Sequence, residues 1–344
     1  MSEAKARVRW IDLCKLLGMI LVIWLHFGCP GIIDGYAHLF HMPVFFLLSG
    51  LCLKTERSFR DFALSRVKSL LLPYISFAVI FYAFWSVVHL ALLPERAVGP
   101  GTFLVHLLWD NTDAVTYLWG AVQWFLPCLF FAEIIFFRMA KNAGEARLLP
   151  TVICVALAVA AMVFLPKLEI RLPLALDIAL VAVAFVGIGY GLRDVFFRIG
   201  GMKNGRLCLL TAAAFAVTAV VFYFNRGTNM RMMAFGNPVL YLLGSTAGCV
   251  MMVCVSVIAE RVFDRCAGKL MDHALYLGRN TIILLYIHRL FDGLNKTALH
   301  LTGFSFPSKI LEYGYFAFMV PVFLLLSYPV TKFVDRKMRF LLGR

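Results

Sequence analysis

Residues 10–28 read WIDLCKLLGMILVIWLHFG. As a helix this stretch rises roughly 28 Å at about 1.5 Å per residue, close to the ~30 Å hydrocarbon core of a bilayer. It carries Asp12 and Lys15 inside, and no small-x-small cleavage site follows it. It therefore reads as a retained span rather than a cleaved leader. Nine further apolar runs continue the pattern, at 36–53, 71–93, 117–137, 148–165, 172–192, 207–224, 239–259, 274–292 and 313–334. Over the whole chain 62% of residues are hydrophobic and 15% charged, where soluble domains carry about 45–50% and about 25%. Soluble, disordered and disulfide-framework classes are excluded. Open sheets cannot satisfy their edges in lipid, and no strand-like alternation competes. The expected fold is all-α: one polytopic membrane domain over residues 1–344, of about ten transmembrane helices.

The net charge of +14 would suggest nucleic acid in a soluble protein. Divided by span, the cations sort instead by side. The N-terminus, residues 54–70, the loops after the fourth, sixth and eighth spans and the tail hold 23 Lys and Arg; the opposite loops hold 7. The positive-inside rule then places both termini in the cytoplasm, an even number of spans agrees, and nucleic acid is not an expected partner. The nine cysteines form no CxxC pair and fall mostly in apolar runs, so they read as small buried residues. Gly187-xxx-Gly191 and Gly244-xxx-Gly248 read as helix-packing stripes. The segments 95–116 and 293–312 are long for loops, and the first reads as a partly inserted outer segment.

Ionisable groups inside spans are costly and point to function. They are Asp12, Lys15, His26, His41, His89, Glu133, Asp177, Arg279, His288 and Arg289. Lys15 and His26 are eleven residues apart, three helical turns plus about 20°, so they share a face while standing roughly 16 Å apart. They suit the two ends of one long cavity, with Asp12 able to pair with Lys15. By orientation, His41, Gln123, Trp124, Tyr286, His288 and Arg289 come to the level of His26 near the outer leaflet. His89 and Asp177 show no obvious partners and read as structural. Histidine at this depth suits general base chemistry. A zinc site is the rival, but no HxxxH or HExxH pair supports it, and no metal is expected. A triad using Ser49 has no support from spacing.

These residues carry a resemblance. Trp10-Ile-Asp-Leu-Cys-Lys-Leu-Leu-Gly running on to His26 resembles the first span of the acyltransferase 3 family, whose Arg or Lys, ten residues, then His is matched by Lys15 and His26. Phe40-His-Met-Pro-Val-Phe-Phe-Leu-Leu-Ser-Gly50 is similar to its second motif. Lys68-Ser-Leu-Leu-Leu-Pro-Tyr74 is similar to its approach to the third span, Trp124-Phe-Leu to its WFL motif, and Asn280 through Tyr286-Ile-His288 to its late Asn…Tyr-x-x-His pattern. The fucose 4-O-acetylase-like branch is the nearest, and the match runs from about residue 8 to 335. Where many members carry Arg-x-x-Arg before the third span, Arg66 here is followed by Ser69.

The resemblance implies an integral membrane enzyme of the bacterial inner membrane. It would move an acyl group, most commonly acetyl, from cytoplasmic acyl-CoA to a hydroxyl of a cell-envelope glycan or lipid-linked sugar. It implies His26 as the catalytic histidine, with Lys15 as its basic partner on the donor side. His41, Ser49, Gln123, Trp124, Asn280, Tyr286 and His288 would line the substrate site, and Arg66 and Lys68 would meet the CoA phosphates. Two chemical routes stay open at this stage: His26 as base for direct attack, or as a transient acyl carrier. A transporter or flippase for a polysaccharide or lipid-linked sugar is the alternative class, although no inverted halves are visible.

Overall fold

A computed structural model describes residues 8–92, 98–109, 121–144, 146–168, 171–266 and 268–344. Among them the chain is helical, with one isolated β-bridge between Asn229 and Ala234. In chain order the helices are α1 (Arg9–Phe27), α2 (Gly31–His38), α3 (Pro43–Cys52), α4 (Phe59–Arg66), α5 (Leu72–Leu92), α6 (Pro100–Leu108), α7 (Ala121–Gln123) and α8 (Phe125–Asn142). They continue as α9 (Leu148–Phe164), α10 (Leu176–Gly191), α11 (Arg193–Gly200), α12 (Asn204–Phe224), α13 (Pro238–Cys266), α14 (Gly268–Arg279), α15 (Thr281–Leu301) and α16 (Lys309–Lys337).

Among the described residues eight stretches are long and apolar enough to cross a membrane: Arg9–Phe27, Gly31–Cys52, Phe59–Ala91, Leu148–Leu168, Pro173–Gly191, Asn204–Phe224, Pro238–Asp264 and Lys309–Lys337. The expected runs 117–137 and 274–292 are present as α8 and as the α14–α15 pair, without meeting that length and apolarity together. Residues 93–97 and 110–120 lie outside the described residues.

Two expected spans are built differently from continuous rods. The second breaks between His38 and Pro43, since proline at the first turn starts a helix and cannot continue one. The ninth breaks at Asn280 (φ −115°, ψ 30°). Its outer part runs on through 293–301, so that part of the expected loop is helix. The cationic stretch 54–70 is helical from Phe59, and a π-helical turn at Val67–Leu71 joins α4 to α5. The Tyr74 hydroxyl donates to the Leu107 carbonyl and fastens α6 to α5.

Helix α1 is central, packed by α3, α13, α14, α15 and α16, while α10 is enclosed by α3, α8 and α9. The α3–α10 crossing brings backbone against backbone: Gly50 faces Val186 and Tyr190, and Gly189 faces Leu47 and Leu51. Gly187 and Gly191 face Thr151, and Gly244 and Gly248 face Val221 and Phe40. Peripheral helices turn large apolar residues outward, among them Val87, Leu209, Phe215, Phe224, Phe318 and Leu325. Apolar residues on both faces suit a bundle whose solvent is lipid. The start of α1 and the tail meet at one end of the bundle: Arg279, beside Asn280, pairs with Asp12 of α1 at 3.2 Å, and Arg344 of the tail reaches Asn280 Oδ1 at 3.4 Å.

Candidate active site

Four voids follow one another along the inside of the bundle. A wide vestibule at the terminal end, about 840 Å³, is lined by Asp12, Lys15, Cys52, Lys54, Arg147 and Arg193 among others. Lys15 and Cys52 pass into an inner cavity of about 300 Å³. A throat of about 30 Å³ follows, walled by Met19, Val22, Met42, Phe45, Phe125 and Leu285. Beyond it lies an outer cavity of about 190 Å³ that holds His26, His38, His41 and Trp124. Phe125 borders the inner cavity, the throat and the outer cavity alike. Lys15 and His26 therefore stand at opposite ends of one line of voids, as their spacing on α1 requires.

The inner cavity is cationic. Lys15, Arg66, Arg279 and Arg344 line it, against the single lining carboxylate of Glu133. Each cation has a carboxylate nearby: Lys15 and Arg279 reach Asp12 at 3.9 and 3.2 Å, Arg66 reaches Glu133 at 3.0 Å, and Arg344 reaches Asp335 at 3.3 Å. Ser49 donates its hydroxyl to Glu133, and Arg66 also lies over the Phe62 ring at 5.0 Å. Half-shared guanidinium groups around a polar void can accept phosphate oxygens.

The outer cavity is an imidazole cluster. His26 and His288 have ring centroids 5.2 Å apart, and His38 and His41 stand 4.9 Å apart. The Nδ1 atoms of His38, His41 and His288 face the carbonyls four residues earlier, of Asp34, Ala37 and Leu284, at 2.8, 2.9 and 3.0 Å. A carbonyl only accepts, so each Nδ1 carries a proton and Nε2 is the ring nitrogen left to face the cavity or its neighbours. His288 Nε2 is buried with no hydrogen-bond partner among the described residues. The carbonyl of His26 accepts from Lys296 at 3.0 Å, which also holds Asp292, itself paired with Arg289 at 3.1 Å. This network fixes the end of α1 against α15. Among the described residues no group of three His, Cys, Asp or Glu is placed to hold a metal ion.

The sequence-derived residues divide between the two chambers. His26, His41 and Trp124 line the outer cavity, with His288 packed on His26. Lys15, Ser49, Arg66 and Asn280 line the inner one. Three lie off both. Lys68 is exposed, Gln123 is buried beside Trp124, and Tyr286 stacks on Phe77 at 4.4 Å. Asp177 has a partner after all, Arg171 at 2.5 Å, which lies before α10 where no helical spacing reveals it. His89 packs on Trp85 at 5.7 Å. Glu133 and Arg279 stand out in the sequence as charges within apolar runs, but their place at the inner cavity comes from tertiary packing. His38, Arg231 and Arg344 carry no local signal.

A family model described as an acyltransferase domain, that of the acyltransferase 3 family, matches residues 8–332. Curated proteins offer no match to the chain.

Proposed function

The chain belongs to the acyltransferase 3 family, and from that premise we propose how a membrane acyltransferase works with these residues. The donor is an acyl-CoA, most commonly acetyl-CoA, that enters from the cytoplasm. Its phosphates meet Lys15, Arg66, Arg279 and Arg344, and its thioester arm passes the Phe45–Phe125 throat to His26. The acceptor is a hydroxyl of a cell-envelope glycan or lipid-linked sugar in the outer cavity. The chain crosses the bacterial inner membrane ten times with both termini cytoplasmic, and it falls in the fucose 4-O-acetylase-like branch. The observation that carries the reading is the line of voids joining a cationic chamber at Lys15 to an imidazole chamber at His26.

In the proposed step the acceptor oxygen forms a bond to the thioester carbonyl carbon as the C–S bond breaks. His26 takes the hydroxyl proton, helped by the neighbouring His288, and returns it to the departing thiolate. Direct transfer is preferred to a histidine-bound acyl group because the outer cavity opens to the acceptor and the throat to the donor, so both can be present together. Holding them in one geometry supplies much of the rate.

Transfer of label from acetyl-CoA to envelope glycans, in membranes carrying wild-type protein or His26→Ala at matched abundance, tests this. Label with the wild type and none with the variant is expected. Label persisting in the variant would remove His26 from the chemistry. Absence of label with a full panel of acyl-CoAs would favour the transporter class.

A further inference from the structure

The connection between α12 and α13 is built more tightly than a loop needs. Asn225 donates to the Phe235 carbonyl at 3.0 Å and accepts from the Asn237 amide at 2.8 Å. Asn229 and Ala234 exchange both backbone hydrogen bonds, at 2.7 and 3.0 Å. Arg171 braces this loop from outside: its Nη2 donates to the Arg231 carbonyl at 2.8 Å, its Nε holds buried Asp177 at 2.5 Å, and its own carbonyl accepts the Trp109 indole at 3.0 Å. Among the described residues the non-glycine positions with positive φ are Leu174 (54°), Ala175 (56°) and Met233 (54°). Met233 lies in this connection, and Leu174 and Ala175 lie in the turn that leads from Arg171 into α10. Left-handed backbone is disfavoured for residues with a Cβ and persists where the surrounding structure enforces it, commonly at functional sites.

What the platform presents is Asn229 and Arg231, on the wall of the cavity that holds His26. Arg231 is half-buried, and no carboxylate among the described residues lies within ion-pair distance of it. Asp34, a carboxylate on the same wall, has its Oδ2 3.5 Å from His38 Nδ1. A guanidinium is charged at any physiological pH and presents a planar fork that matches carboxylate or phosphate oxygens. The cavity, at about 190 Å³, has room for about six waters at ~30 Å³ each, which suits one sugar ring. We infer that Arg231 reads an anionic group on the acceptor, a carboxylate or phosphate borne on the same sugar unit as the hydroxyl that is acylated. The inference rests on the proposed acceptor site at His26 and narrows its substrate class to acidic acceptors.

Two readouts separate this inference from the acyl transfer itself. Binding to the purified full-length protein is measured by calorimetry for octyl glucoside, octyl glucuronide and octyl glucoside 6-phosphate, in a detergent free of sugar. Acetyl transfer to each is followed from labelled acetyl-CoA. Wild type should bind a charged probe about tenfold or more tighter than the glucoside, as expected for a charge-assisted pair. Whether the glucuronide or the phosphate leads identifies the anion. Arg231→Gln should collapse the charged-to-neutral affinity ratio, and Arg231→Lys should keep part of it, which also controls against a folding defect. Equal binding of charged and neutral probes by wild type would overturn the inference. So would an undiminished ratio in Arg231→Gln. A preserved ratio in wild type with no acetyl transfer to any probe would leave the anion site standing and count against the proposed activity.

Discussion

His26 and His288 lie 5.2 Å apart between ring centroids, one at the end of α1 and the other on α15. The Nδ1 of His288 is committed to the Leu284 carbonyl, so the basic nitrogen of His288 remains available beside His26. A lone base loses its proton only to solvent or substrate, whereas two adjacent imidazoles can share one. His288→Ala is therefore expected to lower kcat roughly 10²-fold, with the KM for acyl-CoA little changed, since the donor chamber is elsewhere. Steady-state kinetics with both substrates varied would show this. An effect on donor KM alone would place His288 outside the proton path.

Phe125 borders three successive voids. Phe125→Trp should close the throat and reduce transfer while leaving acyl-CoA binding intact. Phe125→Ala should widen it and admit longer acyl chains, at a stability cost of about 3–5 kcal/mol. A donor-chain series with both variants, set beside their thermal midpoints, checks the gate. Unchanged chain selectivity would mean that the acyl group takes another path.

Glu133 holds Arg66 at 3.0 Å and accepts from Ser49 in a nearly dry setting. Glu133→Gln strands the guanidinium and should cost about 1–3 kcal/mol. In the double variant with Arg66→Gln a good part of that loss should be recovered, because neither charge is then unpaired. Additive losses would indicate that the pair is not coupled and that each group acts alone.

Gly189 sits against the backbone of Leu47 and Leu51, and Gly50 against that of Val186. A methyl group at Gly189 has only main chain to push, so Gly189→Ala should separate α3 from α10. A loss of about 1–3 kcal/mol is expected, as for other overpacked sites. Gly205, where an added Cβ meets open space, is the control, and Gly205→Ala should leave the melting temperature unmoved or raised. Thermal unfolding in detergent compares the two.

Cys29 lies between α1 and α2 near the outer chamber. Burial, with Asp34 adding to it, pushes its thiol from the ordinary 9.0 up to about 11. The shift is upward, so the thiolate is scarce below that value, about a hundredfold scarcer at neutral pH than for an ordinary thiol. Cys29→Ser should retain transfer, and maleimide labelling of Cys29 should climb steadily from pH 7 to pH 10. Loss of transfer in Cys29→Ser would implicate a thiol carrier.

Much of the architecture was legible because lipid imposes a one-dimensional rule. A helix must satisfy its own backbone, so apolar runs such as 148–165 and 207–224 map directly onto α9 and α12. The rule weakens where polar side chains line the protein interior. The run 274–292 breaks at Asn280, and α15 carries Arg289, Asp292 and Lys296 on its inward network. Lys15 and His26 were legible as a pair because one helix carries both. The places of Arg344, Arg231 and Glu133 were not, since each reaches its chamber from a different element, far away in sequence.

Composition and the period of a single helix are local properties, and they alone determined that this chain is a membrane helix bundle with Lys15 and His26 on one face. Tertiary structure alone decided that the face fronts two chambers rather than one, that Phe45 and Phe125 pinch them apart, and that His288 rather than Ser49 stands beside His26. The physical reason is that a side chain's depth and face follow from its own helix. Its neighbours follow from how helices pack, and small contacts such as Gly50 and Gly189 on facing backbones set that packing.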